Sequence, residues 1–268
     1  MGLLAACGPS ERGGESVDAP GPTADSPPPV DMSRVYAHSG GMLYRMDNLT
    51  LAAVPIGPMT GIGTQSLTDL AIDKDDHMVG ITLDKLYSID PATGAATLIK
   101  DLSQSARGFT SLSFVPDPAN PTADILVSAN DQGDVFQIDQ STGSATKIGS
   151  YGTTAAGKVI SSGDLIGVRG FGIYATVDVG TEPHDYLAKI DPANGWKATP
   201  LGTGTQYNNI FGLGFWGGRI YGFVDKGPTA NAGAMIQIDA NTGASTDLST
   251  GSVRWFGAGV ATDAPVIL

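Results

Sequence analysis

From Arg34 onward, hydrophobic and polar residues alternate in short runs with a period of two, and turn residues separate the runs. The clearest stretch is Leu86–Ile99, LYSIDPATGAATLI, in which Leu86, Ser88 and Leu98 alternate with Tyr87, Ile89 and Ile99. It recurs at Val135–Ile148 (VFQIDQSTGSATKI) and at Met235–Leu248 (MIQIDANTGASTDL). Shorter copies lie at Leu187–Trp196 (LAKIDPANGW) and Leu43–Thr50 (LYRMDNLT). The shared aspartates are Asp47, Asp90, Asp139, Asp191 and Asp239, spaced by 43, 49, 52 and 48 residues.

Each copy predicts a β-hairpin. The carboxylate of Asp90 can accept N–H bonds across the turn. Pro91 fixes φ early in it, and Gly94 supplies the positive φ of a tight connection. The same aspartate type serves calcium, but a calcium loop needs oxygen ligands spaced more closely than these. A hairpin repeated every 43 to 52 residues, among other strand-like runs, is the pattern of a β-propeller blade.

The strands sort into units of four. The first three are Arg34–His38, Met42–Asp47 and Ala53–Gly57, with Pro55 suited to an edge. Complete units follow: Ser66–Ile72, His77–Thr82, Leu86–Asp90 and Thr97–Leu102, then Thr110–Val115, Asp124–Ala129, Val135–Asp139 and Ala145–Gly149. The next unit is Asp164–Val168, Gly172–Val177, Leu187–Asp191 and Ala198–Leu201; Thr153–Ser162 leaves its inner strand without a clear register. The last is Ile210–Phe215, Arg219–Phe223, Met235–Asp239 and Thr246–Leu248. A lone strand, Trp255–Val260, remains to complete the three N-terminal ones. The expected fold is therefore all-β: a five-bladed propeller of four-stranded antiparallel blades, closed by joining the two ends, which removes free sheet edges. A six- or seven-bladed ring completed by oligomerisation, or by weaker repeats, is the competing arrangement. Glycines at 212, 214, 257 and 259 suit the crowded inner strands. The tail Ala261–Leu268 extends the last strand or covers the seam.

The L-Y-x-I-D-x-x-T-G-x-x-T-x-I pattern resembles the repeats of secreted bacterial propellers of the PQQ-like and YVTN-like sort, many of them lipoproteins. The resemblance spans roughly residues 34–260 and implies blades rather than an activity. The tryptophan docking pattern of the PQQ enzymes is absent from the hairpins. Near the start, Leu4–Cys7 reads LAAC and resembles a bacterial lipobox, in which Cys7 is lipidated. Residues 1–7 are then a truncated signal, since the stretch before Cys7 is short for one; a chance LAAC is the alternative. Residues 8–30, rich in Pro, Gly and polar residues, predict a disordered tether, and residues 31–268 the propeller domain.

Net charge is −12, which argues against nucleic acid and against an anionic membrane surface. Cys7 is the lone cysteine, so no disulfide can form within the chain. The expected setting is the cell envelope or the extracellular space, as a monomer meeting the membrane through a lipid anchor.

Chemistry is expected where loops vary, on the face opposite the repeated hairpins. That mouth should carry His38, Asp131, Asp178, His184, Asp225 and Lys226, with Arg107, Gln206, Tyr207, Asn208, Asn209, Arg254 and Trp255 from the connections between blades. The amides and aromatics suit a glycan, a peptide or another small polar molecule; Trp255 suits packing between blades as well. His38 and His184 with Asp178 or Asp225 are candidates for a metal site, with a divalent ion such as calcium as cofactor, or for acid and base. Asp69, Asp178 and Asp225 are candidate acids for glycoside hydrolysis; the resemblance to five-bladed glycosidases with three axial acids is in blade count alone. The leading expectation is a secreted or surface-anchored binding propeller. The alternative is a metal-assisted hydrolase, glycosidase or lactonase-like, with its site at the mouth of the central channel.

Overall fold

The computed structural model describes Met1, residues 34–102 and residues 107–267. Cys7 and the segment 8–30 lie outside the described residues.

The described strands form five antiparallel sheets arranged as propeller blades. Blade 1 contains β1 (Val35–His38), β2 (Met42–Met46) and β3 (Ala53–Pro58). Blade 2 is β4 (Asp69–Ile72), β5 (Met78–Ile81), β6 (Lys85–Ile89) and β7 (Ala96–Asp101). Blade 3 is β8 (Ser113–Pro116), β9 (Asp124–Ala129), β10 (Asp134–Ile138) and β11 (Ala145–Ser150). Blade 4 has β12 (Thr153–Thr154), β13 (Gly157–Val168), β14 (Gly172–Val179), β15 (Tyr186–Asp191) and β16 (Lys197–Pro200). Blade 5 is β17 (Ile210–Trp216), β18 (Arg219–Asp225), β19 (Gly233–Ile238) and β20 (Ser245–Gly251). The last strand, β21 (Gly257–Val260), is the inner strand of blade 1 and pairs antiparallel with β1, from Val35 opposite Val260 to His38 opposite Gly257. The ring thus closes by joining its two ends, as the strand count predicts.

Burial follows position within the blade. The inner strands β4 and β21 are buried at every residue, whereas the outer strands β3, β7 and β20 are half-buried to exposed. Pro55 sits in β3, an edge, where no ladder partner needs its missing N–H. Apolar side chains of adjoining blades share one core: Val115 and Val127 of blade 3 cluster with Leu165 and Val177 of blade 4. Burial of this kind stabilises by roughly 25 cal/mol per Å² of apolar surface.

The repeated aspartates close their own turns. Asp90 accepts from the Ala92 amide at 2.9 Å and the Thr93 hydroxyl at 2.8 Å. Asp139 and Asp239 repeat this with Ser141 and Thr142, and with Asn241 and Thr242. The turn-cap reading holds, and Gly94 has the expected positive φ of 80°.

Blade 4 departs from expectation. Its inner strand does not begin at Asp164 but at Gly157, turns back on β12, and carries a bulge between Ser161 and Leu165. The tail adds no strand among its described residues. It crosses the hairpin face instead. The Thr262 carbonyl accepts from the Arg169 amide at 2.8 Å, and the Thr262 hydroxyl donates to Asp124 at 2.8 Å. Asp263 pairs with Arg34 at 3.4 Å, and Ala264 is buried in the core.

Candidate functional site

Around the axis, each inner strand carries one of five residues at or near its inner end: Asp69, Ser111, Asp164, Gly212 and Gly257. The next residue in each, Leu70, Leu112, Leu165, Leu213 or Ala258, turns its amide toward the two carboxyls. Asp69 accepts from Leu70 (2.8 Å), Leu112 (2.7 Å) and Ala258 (3.2 Å). Asp164 accepts from Leu165 (2.5 Å) and from Leu213. The two carboxyls also hydrogen-bond each other, which requires a proton between them. Burial, with the Asp164 charge beside it, pushes Asp69 well above the carboxylate range; burial pushes Asp164 up to about 8. The glycines make room for this pair. A Cβ on Gly257 would stand 2.6 Å from Asp69 Oδ1 and 2.5 Å from His38 Nε2. The bulge in β13 carries Asp164 to the axis, and Gly163 permits it, since a Cβ there would meet the Ile210 carbonyl oxygen at 2.1 Å.

Asp69 is therefore not at the mouth as an acid. It is fully buried and bonded to three blades. His38 is buried too. Its Nδ1 donates to the Ser39 carbonyl at 3.0 Å, and burial pushes its pKa down to about 4, so the ring is neutral near pH 7. His184 stands elsewhere, exposed, with Nδ1 3.2 Å from Asn208 Oδ1. Asp225 spends both oxygens on Arg254, at 2.8 and 2.7 Å, and this guanidinium holds its carboxyl below the usual range. His38, His184 and Asp225 thus have three separate sets of partners. Among the described residues no group of three or more His, Cys, Asp or Glu side chains converges as a metal site.

Above the axial pair, the mouth holds a pocket of about 460 Å³. Thr68, Thr110, Phe211 and Phe256, each one residue before the axial ring, line it together with Ser162, Leu67, Leu83 and Thr82. A second recess of about 330 Å³ gathers His184, Gln206, Tyr207, Asn208, Asn209, Asp225 and Lys226. Sequence reasoning placed these last seven at the mouth, and the structure brings them together. It missed the first pocket, whose residues are strand starts that read as ordinary core.

Asp185 was missed as well. It is 3 % exposed and holds the connection between blades 4 and 5 in shape: its carboxylate accepts from the Ile210 amide at 2.8 Å. Its backbone bonds Thr205 and Tyr207. Gln206 and Asn209 keep left-handed φ values of 68° and 59° there, a strain that sites often carry. The Asp178 and Asp185 side chains hydrogen-bond each other; burial pushes Asp178 up and Asp185 up to about 7.

Arg254 links the two recesses. Clamped by Asp225, it lies 5.2 Å from the centre of the Phe256 ring. Tyr207 donates to Asp247 at 2.6 Å. Arg107 and Asp131 are exposed on this face, and the Arg107 carbonyl accepts from Asn130. Trp255 does not reach the mouth. It is buried edge-on to Tyr44 at 5.3 Å and Phe223 at 5.5 Å, so it packs the blades.

No family model matches the chain, and no curated protein matches it. Among solved structures, it is similar to a symmetrical protein studied for its de novo evolutionary emergence under folding constraints: 16% identity, 88% of this chain and 100% of that one, TM-score 0.49. It is also similar to a protein of unknown function from Bacteroides caccae: 10% identity, 85% of this chain and 98% of that one, TM-score 0.48. No family follows from likenesses of this size.

Proposed function

We propose that the chain is a secreted or surface-anchored binding propeller, of the kind whose repeats it resembles, held at the cell envelope through Cys7. Its ligand is a small molecule, glycan or peptide taken at the mouth. The observation that carries this reading is the build of that face. Two adjoining recesses open above an axis that the Asp69–Asp164 pair fills, so the mouth is a cup rather than a channel. Apolar walls with few polar groups are the usual composition of such sites. A glycan, peptide and metabolite panel against the full chain tests it. Binding that is lost in Phe256→Ala and kept in the distant variant Asp90→Asn supports the reading, and binding indifferent to Phe256 contradicts it. Loss of membrane association in Cys7→Ser tests the anchor.

A hydrolase is the second reading, and Asp178–Asp185 is what favours it. Two adjacent carboxyls that burial pushes up, Asp185 to about 7, with Asp178 half-buried at the mouth, suit acid–base work on a bound water. A divalent ion such as calcium belongs to this second reading. Its measure is metal content of the purified chain together with hydrolysis of glycosides and lactones by wild type and Asp178→Asn.

A further inference from the structure

We propose that the mouth pocket selects an organic cation: an ammonium group on a compact apolar body. This rests on the pocket being the ligand site. Phe211 and Phe256 bring two aromatic rings to it, with centroids 6.5 Å apart and planes at 45°, and Leu67 and Leu83 add apolar wall. A cation over an aromatic face gains from the ring quadrupole, and more so once water is displaced. Phe256 already receives one over its ring, from Arg254 at 5.2 Å from the centroid.

Two threonines of the wall favour a donor. Thr68 spends its hydroxyl hydrogen on the Ile81 carbonyl at 3.1 Å, and Thr110 on the Ala129 carbonyl at 3.5 Å. What these hydroxyls retain is oxygen lone pairs, which accept. No charged side chain lines the pocket. The ionisable groups beneath it are acids whose burial favours the neutral carboxyl, so they add oxygen atoms rather than fixed charge. Asp69 and Asp164 stand below its floor, and Asp185 bonds the amide of Ile210, next to Phe211. Arg254 at the rim is neutralised by Asp225. A ligand carboxylate would meet acceptors and acids here; an ammonium meets partners.

The test is an NMR titration of the full chain with benzylammonium, benzyl alcohol and benzoate, which share a ring and differ in charge. The ammonium is expected to bind about 5- to 30-fold more tightly than the alcohol, the fold-change of a 1–2 kcal/mol cation–π gain, with benzoate weakest. Phe211→Leu, which keeps apolar bulk and removes the ring face, is expected to shrink that preference to about threefold or less; its amide spectrum reports whether it folds. Equal or tighter binding of the alcohol or benzoate at the same residues overturns the cation class and leaves the pocket standing. No shift at the mouth with any of the three overturns both.

Discussion

Asp164 shows how much one side chain can hold. It takes amides from two blades and shares a proton with Asp69, which takes three more. Asp164→Ala leaves the buried N–H groups of Leu165 and Leu213 unpaired. At about 1–3 kcal/mol for each, the expected loss is roughly 2–6 kcal/mol, read from urea unfolding. A loss within 0.5 kcal/mol, about the scatter of surface substitutions, would mean the axial pair does not tie the blades. The contrast with the hairpin aspartates explains what the sequence makes legible. Asp90 bonds residues two and three positions on, so its role is written locally. Asp69 bonds amides 43 and 189 residues away, so only the closed ring reveals it. Trp255 is a milder case: its type suits either a ligand or a core, and its neighbours Tyr44 and Phe223 decide for the core.

Among the elements, the third-to-fourth-strand hairpins were legible nearly to the residue, because turn chemistry and strand alternation point the same way. Gly94 carries the left-handed turn at φ 80°, and a Cβ there would stand 2.9 Å from the Pro58 carbonyl oxygen. Gly94→Ala is expected to cost about 1–2 kcal/mol from the backbone conformation alone, with a matching fall in melting temperature; a neutral outcome would put the turn in another conformation. The inner strand of blade 4 was not legible. Its run Thr153–Ser162 has no clean alternation, since β13 is bulged and folds back on β12. That irregularity is also what delivers Asp164 to the axis, so the least readable element positions the most consequential residue.

At the scale of the molecule, strand count alone led to ring closure, and β21 pairing with β1 shows it. The mouth pocket was not legible, because six segments distant in sequence build it, from four residues at Gln65–Thr68 to single ones at Thr110, Ser162, Phe211 and Phe256. Stability should record the axial chemistry. Asp164 and Asp185 have folded pKa values of about 8 and about 7, above their unfolded values. Their contribution is whole below the ordinary carboxylate range and is lost as pH rises through those values. The hairpin carboxylates are held low by turn hydrogen bonds, so theirs is present above that range and lost as pH falls. The urea midpoint should therefore peak in mildly acidic solution and decline from about pH 5 to about pH 8, levelling off above that. A midpoint still rising across that interval would contradict protonated carboxyls at the axis.

The central claim is that the mouth, above a filled axis, is where this propeller binds. The most direct test is a crystallographic fragment soak of the full chain. Fragments clustered between Phe211 and Phe256, with Asp69 and Asp164 closing the axis beneath them, are the predicted result. Fragments gathered on the hairpin face, with the mouth bare across the library, would contradict it.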